Sequence, residues 1–97
     1  MTIRVTDEAL EVLRRSLELG GVDAASGGIR LRGARELGGG YRVHVELAAA
    51  PSEGEEVVET GGIRIFVDPS VSEAMPTGVV ALEPEHETVV VRPGEPG

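Results

Sequence analysis

Apolar positions near the N-terminus return every three or four residues, which is typical of one face of a helix. The positions concerned are Ala9, Leu10, Leu13 and Leu17. Thr6 precedes them and can cap the helix, and two acidic residues follow it in the first turn, where the helix dipole favours negative charge. Gly20 and Gly21 then predict the end of this helix.

Period-two alternation predicts strands for most of the remaining chain. In the clearest case, YRVHVEL, the apolar residues at 41, 43, 45 and 47 alternate with polar ones and predict one buried face. Shorter segments are also predicted as strands: 3–5, 29–32, 57–59, 63–68, 79–82 and 88–91. Gly61-Gly62 predicts a hairpin turn, and Asp68-Pro69 predicts the start of a short helix. The pattern is that of an α+β domain.

The composition is that of one small globular domain with an aliphatic core. The chain has 97 residues, of which 40% are hydrophobic and 27% charged, and its two aromatic residues are Tyr41 and Phe66. Cysteine does not occur. Disulfides, thiol nucleophiles and iron–sulfur clusters ligated by cysteines of this chain are therefore excluded.

The charge is acidic and unevenly distributed. The formal net charge is −8; residues 1–42 carry seven arginines and six acidic residues, whereas residues 43–97 carry two arginines and 11 acidic residues. An acidic surface repels phosphate backbones, so we expect no nucleic-acid partner. The acidic half is either a solvated face or a docking surface for a basic partner.

Neither a membrane segment nor a leader is evident in the sequence. No apolar run reaches the roughly 20 residues of a membrane span, and the first ten residues lack the basic and apolar stretches of a signal peptide. We therefore expect a cytoplasmic protein without a membrane partner.

Three consecutive glycines, residues 38–40, lie directly before the YRVHVEL strand. Glycines beside a strand can let the backbone approach a phosphate. This run does not fit GxGxxG, however, a strand and not a helix follows it, and the chain has no lysine to complete a Walker loop. The chemistry of the segment favours a mobile hairpin loop.

His44 and Glu46 lie two residues apart on one predicted strand and so share a face, which makes them candidate metal ligands. His86, in a polar turn, is the other imidazole of the chain. A half-solvated strand face explains the pair without a metal. The serines lie in no nucleophile elbow, and the paired carboxylates Glu55 and Glu56 lie in a predicted surface turn, where we expect ordinary pKa values. We expect no enzyme activity.

The order of these segments resembles the HesB/IscA-like domain of the A-type iron–sulfur cluster carriers. The resemblance is carried by IRVTDEAL, by GIRLRGAR with the following glycine-rich turn and YRVHVEL, and by EEVVETGGIRIFVDPS. It runs from Ile3 to about Leu82. It implies a compact domain with an N-terminal strand and helix followed by mostly antiparallel, curved β-structure and one short helix. We place this domain at residues 1–92 with a flexible tail at 93–97, and the resemblance allows a homodimer.

The resemblance also implies three cysteine ligands, one in a turn after the GIRL-like strand and two in a Cys-Gly-Cys near the C-terminus. Counting along the chain places the first on Gly38, and the pair beyond TVVV, where this chain has RPGEPG. Glycine has no side chain, and Pro93, Glu95 and Pro96 are poor ligands for such a cluster. The fold of the family therefore carries over, whereas its cluster ligands do not.

We therefore expect a protein related to iron–sulfur cluster assembly that binds no cluster or other cofactor itself. It would act as an accessory or interaction module, with iron–sulfur assembly proteins as its partners. The alternative is a carrier of iron or another metal that uses His44 and Glu46 as ligands. A small enzyme is the third hypothesis, and no arrangement of residues in the sequence supports it.

The buried face assigned to the YRVHVEL strand leads to a prediction about stability. Val45→Asp should lower the free energy of unfolding by several kcal/mol, because it places an unpaired charge against the core. Arg42→Asp, on the other face, should leave stability nearly unchanged. Urea unfolding followed by circular dichroism measures both, and equal losses would show that the faces of this strand are misassigned.

Overall fold

The computed structural model describes residues 2–23, 25–35, 37–39, 41–83, 85 and 88–94. The Tyr41 side chain, His86 and the end of the predicted tail lie outside this part of the chain. The elements follow the order β-α-β-β-β-β-α-β-β. Their bounds are β1 Thr2–Val5, α1 Asp7–Leu19, β2 Gly28–Arg35, β3 Tyr41–Ala48, β4 Glu56–Thr60, β5 Ile63–Val67, α2 Pro69–Ala74, β6 Thr77–Glu83 and β7 Thr88–Pro93.

Helix α1 forms where the apolar spacing predicts it. The Thr6 side chain accepts a hydrogen bond from the Ala9 N–H at 3.3 Å, which satisfies one of the backbone donors left free in the first turn. Ala9 and Leu13 are buried, and the helix ends at Gly20. The cap and the apolar face together confirm the sequence prediction for this element.

The strands form two sheets. One has the order β1-β6-β7, and the other has the order β3-β2-β5-β4. Three of the pairs are antiparallel, namely β2–β3, β4–β5 and β6–β7, whereas β1–β6 and β2–β5 are parallel. The described chain therefore has the mostly antiparallel α+β architecture that was expected.

One aliphatic core lies between α1 and the inner faces of both sheets. Its fully or almost fully buried members are Ala9, Leu13, Ile29, Leu31, Ile63, Ile65, Val67, Val71 and Val80. Val43 and Val45 of β3 pack against this core, as the alternation predicts. Leu47 is on the same strand face but is 41% exposed, so the buried face of β3 does not extend to Leu47.

The two connections with strong local signals form as predicted. Gly61 and Gly62 link β4 to β5 with φ angles of 57° and 83°, a left-handed backbone that glycine adopts without steric cost. Asp68 caps the short helix α2 by accepting a hydrogen bond from the Ser70 N–H at 2.9 Å. The Ser70 hydroxyl and N–H bonds lower the pKa of Asp68 below its usual value.

The outer face of the larger sheet carries a second, smaller packed region around Phe66. Phe66 is fully buried but does not belong to the inner core, and it lies beside Arg30 of β2 in the register. The Arg30 guanidinium donates to both carboxylate oxygens of Glu55, at 2.8 and 3.2 Å, and also to the Ala50 carbonyl at 2.9 Å. Arg30 thus ties residues 50–55 to this face, and we infer that this loop covers Phe66.

The environment of Glu55 corrects the expectation of an exposed carboxylate with an ordinary pKa. Only 4% of its side chain is exposed. Burial raises the pKa of Glu55, but the hydrogen bonds from Arg30 and the Ser52 N–H, with the positive charge of Arg30, outweigh burial and hold this pKa below its usual value of 4.5. The expectation was wrong because it considered only the neighbours in sequence, whereas Arg30 is 25 residues away.

Glu55→Gln should lower the free energy of unfolding at pH 7 by about 1–3 kcal/mol, since it removes a charged acceptor from a buried hydrogen-bonded pair. Because the folded-state pKa is lowered, this contribution is fully present above the usual glutamate pKa and is lost as the pH falls below it. The difference between the wild type and the variant should therefore shrink in acid.

Urea unfolding between pH 3 and pH 7 measures this difference. Glu53→Gln is the matched control, because Glu53 lies exposed in the same loop and should change stability by less than about 0.5 kcal/mol. A pH-independent difference, or an equal loss in the control, would contradict the role given to Glu55.

Candidate functional site

The turn between β2 and β3 contains the glycines singled out in the sequence. Gly38 and Gly39 have φ angles of 97° and 90°, in the region that favours glycine. A Cβ atom added to Gly38 would meet no heavy atom within 4 Å, so this position is open to solvent. Leu37 beside it is fully exposed. Residues 37–39 therefore form an exposed turn whose sole side chain is apolar.

The strand that follows this turn leads into a groove of about 1060 Å³ between β3 and β7. Residues 42–45 of β3 form one wall, the whole of β7 forms the other, and Met75 after α2 also lines it. We call this space the edge groove, because β3 and β7 are both terminal strands of their sheets. The start of β3 and the end of β7 are thus close in space, although about 50 residues separate them in the chain.

The edge groove contains two arginines and one carboxylate. Arg42 and Arg92 line it together with Glu83, and His44 lies beside Arg42 on the same wall. Glu83 is opposite Thr88 in the register of β6 and β7, and Arg92 is at the other end of β7. One end of the groove is therefore cationic, in a protein whose formal net charge is −8.

The two candidate metal ligands on β3 are both described. His44 is exposed and lies opposite Arg32 in the register, and Glu46 is partly buried. Glu46 Oε1 accepts hydrogen bonds from Arg32 Nη2 at 2.6 Å and Nε at 3.2 Å. The hydrogen bond and the charge of Glu46 raise the pKa of Arg32. A metal ion bound by His44 and Glu46 would have to displace Arg32 from this carboxylate.

The wider search for metal ligands gives the same picture. Within the described part of the chain, no three histidine, cysteine, aspartate or glutamate side chains lie together in a way that could hold a metal ion. Metal binding through His44 and Glu46 stays a prediction.

The donor chemistry of this region does not fit an iron–sulfur cluster. Such clusters are held by thiolates, and the 97 residues contain no cysteine. Gly38 offers no side chain, and the groove that β3 enters contains guanidinium groups, which are cationic and donate hydrogen bonds. Cluster ligation by cysteines of this chain is therefore excluded.

Comparison with solved structures identifies the fold. The chain is similar to IscA solved with a [2Fe-2S] cluster, with a TM-score of 0.71 and 16% identity over 98% of this chain and 86% of that one. It is similar to Escherichia coli SufA, which is involved in the biosynthesis of iron–sulfur clusters, with a TM-score of 0.72 and 15% identity over 94% and 77% of the two chains.

A third structure, a protein from Aquifex aeolicus solved by NMR, has a TM-score of 0.70 and 17% identity over 97% and 93% of the two chains. No family model and no curated protein matches the sequence. The protein therefore has the HesB/IscA-like fold and lacks the cysteines, as the resemblance in the sequence implies.

The edge groove is the part of the site that the sequence analysis did not find. The sequence predicts the strands β3 and β7, but it does not predict that both are terminal strands or that they border the same groove. Pro93 is the one relevant signal, because proline is confined to strand ends and edges. In addition, no helix among the described residues is long and apolar enough to cross a membrane.

Gly38→Ala should lower the free energy of unfolding by about 1 kcal/mol. The cost comes from the positive φ angle and not from a clash, because the added Cβ meets nothing within 4 Å. Urea unfolding measures this loss. Leu37→Ala, in the same turn, removes a fully exposed side chain and should change stability by less than about 0.5 kcal/mol. A neutral Gly38→Ala variant would show that the turn does not hold this backbone conformation.

Proposed function

We propose that this protein is an accessory or interaction module of iron–sulfur cluster assembly that binds no cluster itself. The observation that carries the proposal is the combination of the fold with the chemistry of the edge groove. The resemblance assigns one cysteine ligand to the position of Gly38, and β3 and β7, the strands adjoining the two assigned positions, border one groove. Two arginines, Arg42 and Arg92, line that groove, and the chain has no thiolate to offer there.

The fold supports a role in assembly, and the site supports binding over catalysis. Two of the solved structures of similar fold are connected with iron–sulfur clusters: IscA was solved with a [2Fe-2S] cluster, and SufA is involved in cluster biosynthesis. The groove is open and is lined by strand edges, which suits contact with another protein better than the enclosure of a substrate. We propose iron–sulfur assembly proteins as partners and the cytoplasm as the location. The proposal includes neither an enzyme activity nor nucleic-acid or membrane binding.

The alternative function, a carrier of iron or another metal, depends on His44 and Glu46. The ion pair between Glu46 and Arg32 weighs against it, because the carboxylate already has a cationic partner. A homodimer remains compatible with either function.

Anaerobic incubation with ferrous iron and sulfide tests the absence of cluster binding. We expect no stable, stoichiometric cluster absorbance, since no thiolate is present. IscA under the same conditions is the positive control. A stoichiometric cluster on this chain would overturn the proposal. Iron binding without sulfide that is lost in His44→Ala would favour the metal-carrier alternative instead.

Binding to purified components tests the assignment to the pathway. The immobilised protein should retain a purified cysteine desulfurase or a purified cluster scaffold protein in a pull-down experiment. If it retains neither, the protein does not belong to this pathway, whatever the outcome of the cluster experiment.

A further inference from the structure

The two sheets have four terminal strands among the described residues, and β7 carries the longest uncharged run of the four. Charged side chains interrupt the other three and discourage pairing with foreign strands: Arg4 in β1, Arg42 and Glu46 in β3, and Glu56 and Glu59 in β4, whereas the charge of β7, Arg92, lies near its end. The centre of β7 consists instead of three valines, residues 89–91, each of them partly exposed. In its sheet β7 has one strand neighbour, β6, and the edge groove lies along its other edge.

The edge groove gives such a strand space to bind. All six residues of β7 line it, a length of about 20 Å at the usual rise per residue. Backbone hydrogen bonds along a strand edge are a common way to bind an extended peptide, while the alternate side chains determine which sequence fits. The geometry therefore suits an extended segment of about six residues.

The charge of the groove indicates which segment fits. Arg92 is exposed and lies at the outer end of a row that runs across the smaller sheet through Val79 to Arg4. Four other arginines, Arg15, Arg30, Arg32 and Arg64, form ion pairs, whereas none is found for Arg92 among the described residues. A residue of an added strand would lie directly beside Arg92, and a carboxylate there would form a favourable cross-strand pair.

A second copy of the chain does not supply this carboxylate through the same edges. The sequence of β7, TVVVRP, contains no acidic residue, and the acidic residue of β3, Glu46, is already paired with Arg32. Pairing of two copies through these strands would also bring their arginines together. The charge complementarity therefore favours a different protein with an acidic segment.

We propose that the edge groove binds an extended acidic segment of a partner protein, which adds as a strand to β7 and places a carboxylate beside Arg92. The inference rests on the proposed function as an interaction module and names the kind of segment that the module recognises. Arg42, at the same groove, adds positive charge to the site.

The test uses a fluorescein-labelled peptide of eight residues in which glutamate and valine alternate, with binding measured by fluorescence anisotropy at low salt. We expect saturable binding, and at least about tenfold weaker binding when lysine replaces glutamate. A peptide with two of its valines replaced by proline should also bind weakly, because proline cannot donate backbone hydrogen bonds. Equal binding of the proline peptide would overturn strand addition.

Two charge-reversal variants locate the site. Arg92→Glu should weaken binding of the acidic peptide by about tenfold or more, whereas Arg4→Glu should weaken it less than about twofold. Both make the same change in net charge on the same face of the same sheet. Arg4, however, lies two strands from Arg92 and therefore about 14 Å from a strand added to β7. Equal effects would show that the peptide binds the sheet face without pairing to the edge.

Two further results separate this inference from the proposed function. Analytical ultracentrifugation should show that the peptide does not change the oligomeric state, and a dimer that dissociates as the peptide binds would assign the groove to a second copy and overturn the inference. If the peptide does not bind but a purified desulfurase or scaffold protein does, the inference fails and the proposed function stands. If none of them binds, both fail.

Discussion

The first half of strand β2, residues 28–31, is buried or half-buried on both faces, and the rest of the structure depends on this arrangement. It pairs with β3 on one side and β5 on the other, so it is the strand that joins two hairpins from different parts of the chain. Ile29 and Leu31 point into the aliphatic core, while Arg30 between them anchors the loop over the opposite face. A single strand thus connects the burial of apolar surface on one side with a charge-assisted network on the other.

The edge groove is formed by the packing of the two sheets. Strands β3 and β7 belong to different sheets and are terminal in each. These two strands, which adjoin the positions that the resemblance assigns to cysteines, border one groove, and arginines line it. The groove needs no cysteine to form, because its walls are strands whose packing is set by the aliphatic core. A function at this place would therefore depend on the shape and charge of the groove.

The features that sequence analysis predicted are those with local causes. Three such features depend on interactions within a few residues and can therefore be predicted from the local sequence. They are the cap at Thr6, the glycines of the β4–β5 turn and the helix start at Asp68-Pro69. The two parallel pairings, by contrast, join segments that are more than 30 residues apart, and nothing in either segment specifies its partner.

The candidate site shows the same division. Gly38 was singled out because the family pattern counts residues along the chain, and its assignment to a ligand position stays a prediction. The edge groove and the burial of Glu55 were not predicted from the sequence, because both depend on contacts between segments that are distant in the chain. Leu47 follows the alternation of β3, yet it is 41% exposed. Alternation predicts which face of the strand a residue lies on, but it does not predict where the core ends.

The outer edge of β7 affects the tendency of the protein to self-associate in concentrated solution. Another extended chain, including another copy, can approach the same edge, whose three central residues are uncharged valines. The formal net charge of −8 acts at longer range, because copies of the molecule repel one another before their edges meet. Salt weakens this repulsion, with a Debye length of about 8 Å at physiological ionic strength. Repulsion between the acidic molecules therefore opposes their association through the edge of β7. This opposition weakens as the ionic strength rises.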